Sequence, residues 1–322
     1  MKSDEFTILI TTYNRPDKIK RHLDNFESKY WSKLKDYKTT IIIADDYPGG
    51  KLRNLCKNYQ KRLKYFKLIY LERTKRLGQG FNLFNAVKEK IISGYIWSVG
   101  DDDILLPQQA TDFINKIKKF SPDVAVCEFR QGQENLAGTF FNGESRMIYD
   151  VKKGLEFIER FGKLTSVVFR RPSNTLVKIA ENMFIGCMYE DRPLAVISYL
   201  CNDKPSLYLK TELTATGDKD FGLLRYSMRV FVNLQVAMNL AIEYCSKHQK
   251  VNYPLIEIDK ASDEYVLWKT GLYKSLINYI KLRNFGIRYT KFRFFKEIFI
   301  LPVVIFRKFF NSKNKLSKKW IR

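Results

Sequence analysis

Apolar runs of strand length alternate with helix-period stretches through the first hundred residues. Residues 6–11 form a β-rich run that ends at Asn14-Arg15-Pro16, and beyond the proline Ile19, Leu23 and Phe26 recur on one helical face. Residues 39–44, 66–71 and 95–99 predict three further strands, with helical stretches over 52–65 and 81–92 between them. The strands are almost continuously apolar, which is the pattern of strands buried on both faces. Their regular alternation with helices predicts an α/β fold with a doubly wound, mostly parallel sheet.

Ligands of open α/β sheets sit beyond the carboxyl ends of the strands, so the polar residues that follow each apolar run carry the functional information. They are Thr11, Thr12, Tyr13, Asn14 and Arg15 after the first run and Asp45 and Asp46 after the second. Glu72 and Arg73 follow the third, and Asp101, Asp102 and Asp103 the fourth. Three adjacent carboxylates repel one another unless a cation or hydrogen-bond donors neutralise them, and hard ions such as Mg2+ or Mn2+ prefer such oxygen ligands. The bland alternative is an exposed acidic turn, or N-cap residues ahead of Ile104-Leu105-Leu106-Pro107. Asp45 and Asp46 either cap a turn or accept hydrogen bonds from a base or ribose. Gly78-Gln79-Gly80 opens a helix whose amides suit a phosphate, with Arg73, Lys75 and Arg76 alongside. Glu190-Asp191 precedes a further helical run. A carboxylate there serves as a general base, or else it is simply the favoured acidic residue of a first helical turn.

The chain has 322 residues, 45% hydrophobic and 15% aromatic, ample for a large catalytic domain with an appendage. Its 57 basic against 34 acidic residues give a formal charge of +23, which favours nucleic acid, anionic lipid or phosphorylated substrates as partners. Five cysteines without a C-x-x-C spacing argue for reduced thiols. The first residues lack the apolar segment of a signal peptide, and a cytoplasmic location is expected. No stretch reaches the roughly 20 apolar residues of a spanning helix, residues 298–306 being about half that and broken by Pro302. His22 and His248 lie outside the strand-end groups and read as packing or surface residues. No serine elbow or Gly-Lys-Ser/Thr phosphate loop is present.

The C-terminal third reads as helices over 223–244 and 265–282. It ends in a basic, aromatic tail, 288–322, in which Glu297 is the only acid. Basic residues interleaved with phenylalanines suit reversible binding to an anionic membrane surface. The alternative is an arm that packs its aromatics on its own core or on a second subunit of a homo-oligomer. A basic nucleic-acid-binding protein is the competing class, but it leaves the acidic clusters without a purpose.

The order Thr11-Thr-Tyr-Asn-Arg-Pro16, Ile43-Ala-Asp-Asp46, Gly100-Asp-Asp-Asp-Ile-Leu-Leu-Pro107 and Tyr189-Glu-Asp-Arg-Pro-Leu194 resembles the family 2 glycosyltransferases with the GT-A fold. The resemblance covers about residues 5 to 215 and thins after Asp220. It implies a catalytic domain over 1–215 and a helical C-terminal region over 216–322. In such a domain Thr11, Thr12, Tyr13, Arg15, Asp45 and Asp46 hold the nucleotide, with Arg73 and Gly78 beside it. Asp101 lies on the diphosphate side, and Asp102, with Asp103, binds Mn2+ or Mg2+. Asp191, next to Glu190, is the base of an inverting displacement. The donor implied is a nucleotide-diphospho-sugar, a UDP-sugar first, and the reaction a hexosyl transfer. The acceptor implied is a saccharide, lipid-linked in bacterial envelope polysaccharide synthesis. A silent sugar-nucleotide-binding scaffold of the same fold is the other reading. One departure stands out: many relatives carry an aspartate where this chain has Gly100. The Gln-x-x-Arg-Trp motif of processive synthases is missing, which implies one sugar per encounter.

Overall fold

The structure, a computed structural model, describes residues 5–35, 37–89, 91–92, 94–131, 144–160, 164–183, 191–202, 204–217 and 229–256. Its first half follows the apolar pattern closely: β1 (Phe6–Thr12), α1 (Pro16–Phe26), β2 (Thr39–Asp45), α2 (Arg53–Gln60), β3 (Lys67–Glu72), α3 (Gln79–Lys88) and β4 (Tyr95–Gly100). Pro16 starts α1 because its missing N–H is one of the first-turn donors that no helix satisfies internally. The buried face of α1 is Ile19, His22, Leu23 and Phe26, so His22 is a packing residue.

The strands β3, β2, β1 and β4 pair in parallel in that order. Successive side chains of a strand point to opposite faces, and both faces are covered here. Ile8, Ile10, Ile41 and Ile43 enter one core with Ile19, Leu23 and Phe26. Leu9, Ile42 and Ala44 enter the other with Leu83, Phe84 and Val87 of α3. That is why the strand sequences do not alternate. Each fully buried isoleucine or leucine contributes roughly 1.5–3 kcal/mol relative to its exposed state.

Beyond β4 the chain forms β5 (Asp103–Leu105), α4 (Pro107–Phe120), β6 (Val124–Gln131), β7 (Arg146–Ile148), α5 (Val151–Arg160), β8 (Val167–Arg170), α6 (Asn174–Met183), α7 (Asp191–Leu200), β9 (Leu207–Gly217) and α8 (Arg229–Gln249). The sheet continues from β4 as β8, β6, β9 and β5, with β7 on β9. This half is mixed: β8 runs antiparallel to both β4 and β6, β6 and β9 are parallel, and β5 and β7 are antiparallel to β9. The fold is α/β with its parallel half at the amino-terminal end.

Every residue of α7 is buried. It lies between the sheet and α8, whose Met238, Ala241, Ile242 and Cys245 join the same core as Leu9. Among the described residues no helix is long and apolar enough to cross a membrane. The helix expected over 265–282 and the tail at 288–322 lie outside the described residues.

Candidate active site

Register brings the four strand ends into one row. Thr12 pairs with Asp45, Asp45 with Glu72, and Thr11 with Gly100. The amide of Asp46 then donates to the carbonyl of Thr12 at 2.9 Å, which ties the exits of β1 and β2 together.

The three aspartates that follow β4 have different partners. Asp101 is buried; its Oδ2 accepts from the Thr12 hydroxyl at 2.7 Å and its Oδ1 from Arg15 Nη1 at 2.8 Å. Burial pushes its carboxyl above the usual range, the Thr12 and Arg15 contacts oppose that shift, and the charge of Asp102 adds to it. Asp103 is also buried, and its Oδ2 accepts from the Thr165 hydroxyl. Thr165 also accepts from the Gly100 amide at 3.1 Å and so fixes the end of β4. On Asp102 the Oδ2 atom is buried and, among the described residues, has no hydrogen-bond partner.

Helix α1 grips this loop from below. Arg21 Nη2 donates to the Asp102 carbonyl at 3.0 Å and Asn25 Nδ2 to the Leu105 carbonyl at 2.9 Å, while the His22 ring nitrogen Nε2 sits 3.2 Å from the Asp101 carbonyl. One helix face thus holds the backbone that presents the carboxylates. Sequence reading missed these three residues; their spacing of i, i+1 and i+4 marks a helix face but carries no sign of what it touches.

Gly100 stands where a side chain would crowd two carboxylates. A Cβ there would stand 2.9 Å from Asp102 Oδ1 and 3.0 Å from Asp103 Oδ2, so the two carboxylates converge over the space that a side chain would fill. Two carboxylates side by side, with Asp102 Oδ2 buried and without a hydrogen-bond partner among the described residues, fit a hard divalent cation. Among the described residues no three acidic, histidine or cysteine side chains form a complete cage. A divalent cation held by these two carboxylates would have coordination positions left for other oxygens.

The remaining strand-end groups divide between structure and solvent. Asp45 is fully buried; it accepts from the amides of Asn14 at 3.2 Å and Tyr47 at 3.1 Å and from the Tyr70 hydroxyl at 3.1 Å. Asp46 accepts from the amides of Leu77 at 2.7 Å and Gly78 at 2.8 Å. The Gly78 N–H, expected to face a phosphate, is thus bound by a carboxylate of the chain itself. Gly78 has φ +88°, the left-handed region that glycine tolerates, and it opens α3. Arg73 bonds Asn82 Oδ1 at 2.9 Å and pairs with Glu89 at 3.6 Å. Tyr13 stays 41% exposed, edge-to-face with Tyr47 at 5.7 Å and covered on its ring by Arg76 at 4.6 Å. Arg15 keeps over half of its side chain in solvent.

Asp191 begins α7, where the helix dipole favours a carboxylate and Pro193 in the first turn breaks no hydrogen bond. It is fully buried, and burial raises its pKa to about 6 against the opposing charge of Arg192. Arg192 Nη1 lies 2.6 Å from Asp191 Oδ2. Glu190 lies outside the described residues.

The family model described as glycosyl transferase family 2 matches residues 7–180, over half of the chain, and the chain belongs to that family. TarS of S. aureus, residues 1–349, superposes over 90% of this chain and 82% of its own with a TM-score of 0.52 at 16% identity. The same protein in complex with UDP-GlcNAc gives 0.54 at 17% identity, over 87% and 80%. At these identities the likeness is one of fold, and that fold is GT-A. Comparison with curated protein sequences finds no match.

Proposed function

We propose that this glycosyltransferase, which takes its sugar from a nucleotide sugar, performs a single inverting transfer from a nucleotide-diphospho-sugar to a hydroxyl of a saccharide acceptor. The observation that carries the reading is Asp102, whose buried Oδ2 has no hydrogen-bond partner among the described residues and whose Oδ1 crowds Gly100 together with Asp103 Oδ2, at the row of strand ends where a GT-A donor belongs. Asp102 and Asp103 would hold Mn2+ or Mg2+, which when bound stabilises the charge on the departing diphosphate.

The chain's own groups supply the rest. Arg15, anchored on Asp101 yet largely exposed, offers a fixed cation to the phosphates. Tyr13, braced by Tyr47 and Arg76, gives the base a flat apolar face. Asp45 and Asp46 act by holding the loops that shape this pocket. Asp191 takes the proton of the acceptor hydroxyl as its oxygen bonds to the anomeric carbon and the bond to the diphosphate breaks. With a pKa of about 6 it is ionised at neutral pH and still basic enough for the task. A UDP-sugar is the first donor to try, since the TarS structure of the same fold holds UDP-GlcNAc.

The acceptor we propose is lipid-linked, reached at an anionic membrane surface through the basic, aromatic tail at 288–322. Release of nucleoside diphosphate across a panel of UDP-, GDP- and dTDP-sugars tests the donor reading. Release that depends on Mn2+ or Mg2+ and favours one donor supports it; no release from any sugar nucleotide, with cation and acceptor extracts present, overturns it.

A further inference from the structure

We propose that Arg192 is a positioning residue: its guanidinium pins one oxygen of the Asp191 carboxylate and leaves the other as the single site for the acceptor's proton. The inference rests on Asp191 being the base. Both side chains are completely buried, with Nη1 and Oδ2 2.6 Å apart. The second oxygen, Oδ1, is buried and has no partner among the described residues.

Neighbouring residues on a helix point about 100° apart, so Arg192 must fold back over the first turn of α7 to reach Asp191. Such a contact is weak ground for stability, because desolvating two charges offsets most of their attraction and an apolar pair of similar volume serves as well. It has a clear use in orientation. A free carboxylate turns about its last bond and offers several lone pairs, whereas one whose Oδ2 is held by a buried guanidinium N–H turns less freely. The charge also matters. Among the described residues Arg192 is the charged side chain that acts on Asp191, and it opposes the effect of burial. Without it Asp191 would hold its proton to higher pH and its Oδ2 would lose its side-chain anchor.

The test uses the full chain, Mn2+ and the sugar nucleotide that the panel selects, following release of nucleoside diphosphate to water as a function of pH. In Arg192→Met the acid limb of kcat should move up by about one pH unit, with the donor KM within about twofold of the parent. In Arg192→Lys the charge remains and the limb should stay near its place. The ammonium sits on a flexible stem and holds Oδ2 less firmly, however, so kcat should fall about tenfold at the plateau. A merely structural role would lower the amount of folded protein without moving the limb.

Folded Arg192→Met with the parental limb overturns the proposal. Should that variant fail to fold, Arg192→Lys with the parental plateau kcat does so. Asp191→Asn separates the two claims. If it retains turnover, the base assignment itself fails; if it is inactive while both Arg192 variants behave like the parent, only the role of Arg192 is lost.

Discussion

The Thr12 hydroxyl donates to Asp101 Oδ2 at 2.7 Å, joining residues 89 apart in sequence. With Arg15 on its other oxygen, Asp101 has both carboxylate oxygens engaged by the first loop, so this member of the aspartate run fastens the loop. Replacing Thr12 by valine leaves a buried carboxylate one donor short, which should cost about 1–3 kcal/mol. Urea denaturation of Thr12→Val should show that loss, whereas Asp102→Asn, whose Oδ2 has no hydrogen-bond partner among the described residues, should unfold at the parental midpoint.

Gly100→Ala addresses the space over β4. The new methyl meets Asp102 Oδ1 at 2.9 Å and Asp103 Oδ2 at 3.0 Å, and two short side chains can yield by a few tenths of an ångström. Stability should change little. Mn2+ affinity, read by electron paramagnetic resonance of the free ion, should fall by about tenfold or more, since converging ligands tolerate small displacements poorly. Unchanged affinity would place the cation elsewhere.

Asp191 ties pH to both stability and turnover, in opposite directions. Burial lifts its folded pKa from 3.8 to about 6, so the fold favours the protonated form. Its contribution to stability is full below the unfolded value and is lost as pH rises through about 6. The base form grows over the same interval, so kcat should climb between about pH 5 and 7, with a midpoint near that pKa. Asp191→Asn should abolish the climb and most of the turnover while leaving donor binding intact. A parental rate profile that is flat across this range would remove Asp191 from the proton transfer.

The tail supplies an independent prediction. Ending the chain before Arg288 removes its interleaved basic and aromatic residues. The shortened protein should no longer sediment with vesicles rich in phosphatidylglycerol, and the parent should be released by high salt. Sedimentation that survives the deletion would assign the membrane contact, and with it access to a lipid-linked acceptor, to another surface.

Much of the amino-terminal half was legible because local rules decide it. The apolar runs at 6–11, 39–44 and 95–99 became β1, β2 and β4, and Pro16 marked the start of α1 as its φ and missing donor require. The second half was not legible to the same degree. Strands β5 and β7 have three residues each and β8 four, too short for any period to register, so the antiparallel entry of β8 beside β4 left no trace. The site shows the same division. Asp101, Asp102 and Asp103 announced themselves by mutual repulsion, but their separate fates depend on Thr12, Thr165 and Gly100, which only the folded register brings near. His22 and Arg192 were invisible as site residues because their partners are a backbone carbonyl and a sequence neighbour. The amide of Gly78 suited a phosphate as a sequence feature, yet Asp46 occupies it.

The central claim is that Asp102, a strand-end carboxylate whose buried Oδ2 has no hydrogen-bond partner among the described residues, binds a divalent cation together with the donor diphosphate. The most direct measurement is the shift in melting temperature produced by UDP, GDP or dTDP with and without Mn2+, compared between the parent and Asp102→Asn. The expected result is stabilisation of the parent by one diphosphate only when Mn2+ is present, and loss of that dependence in Asp102→Asn at an unchanged apo melting temperature. Equal Mn2+-dependent stabilisation of both proteins would contradict the account.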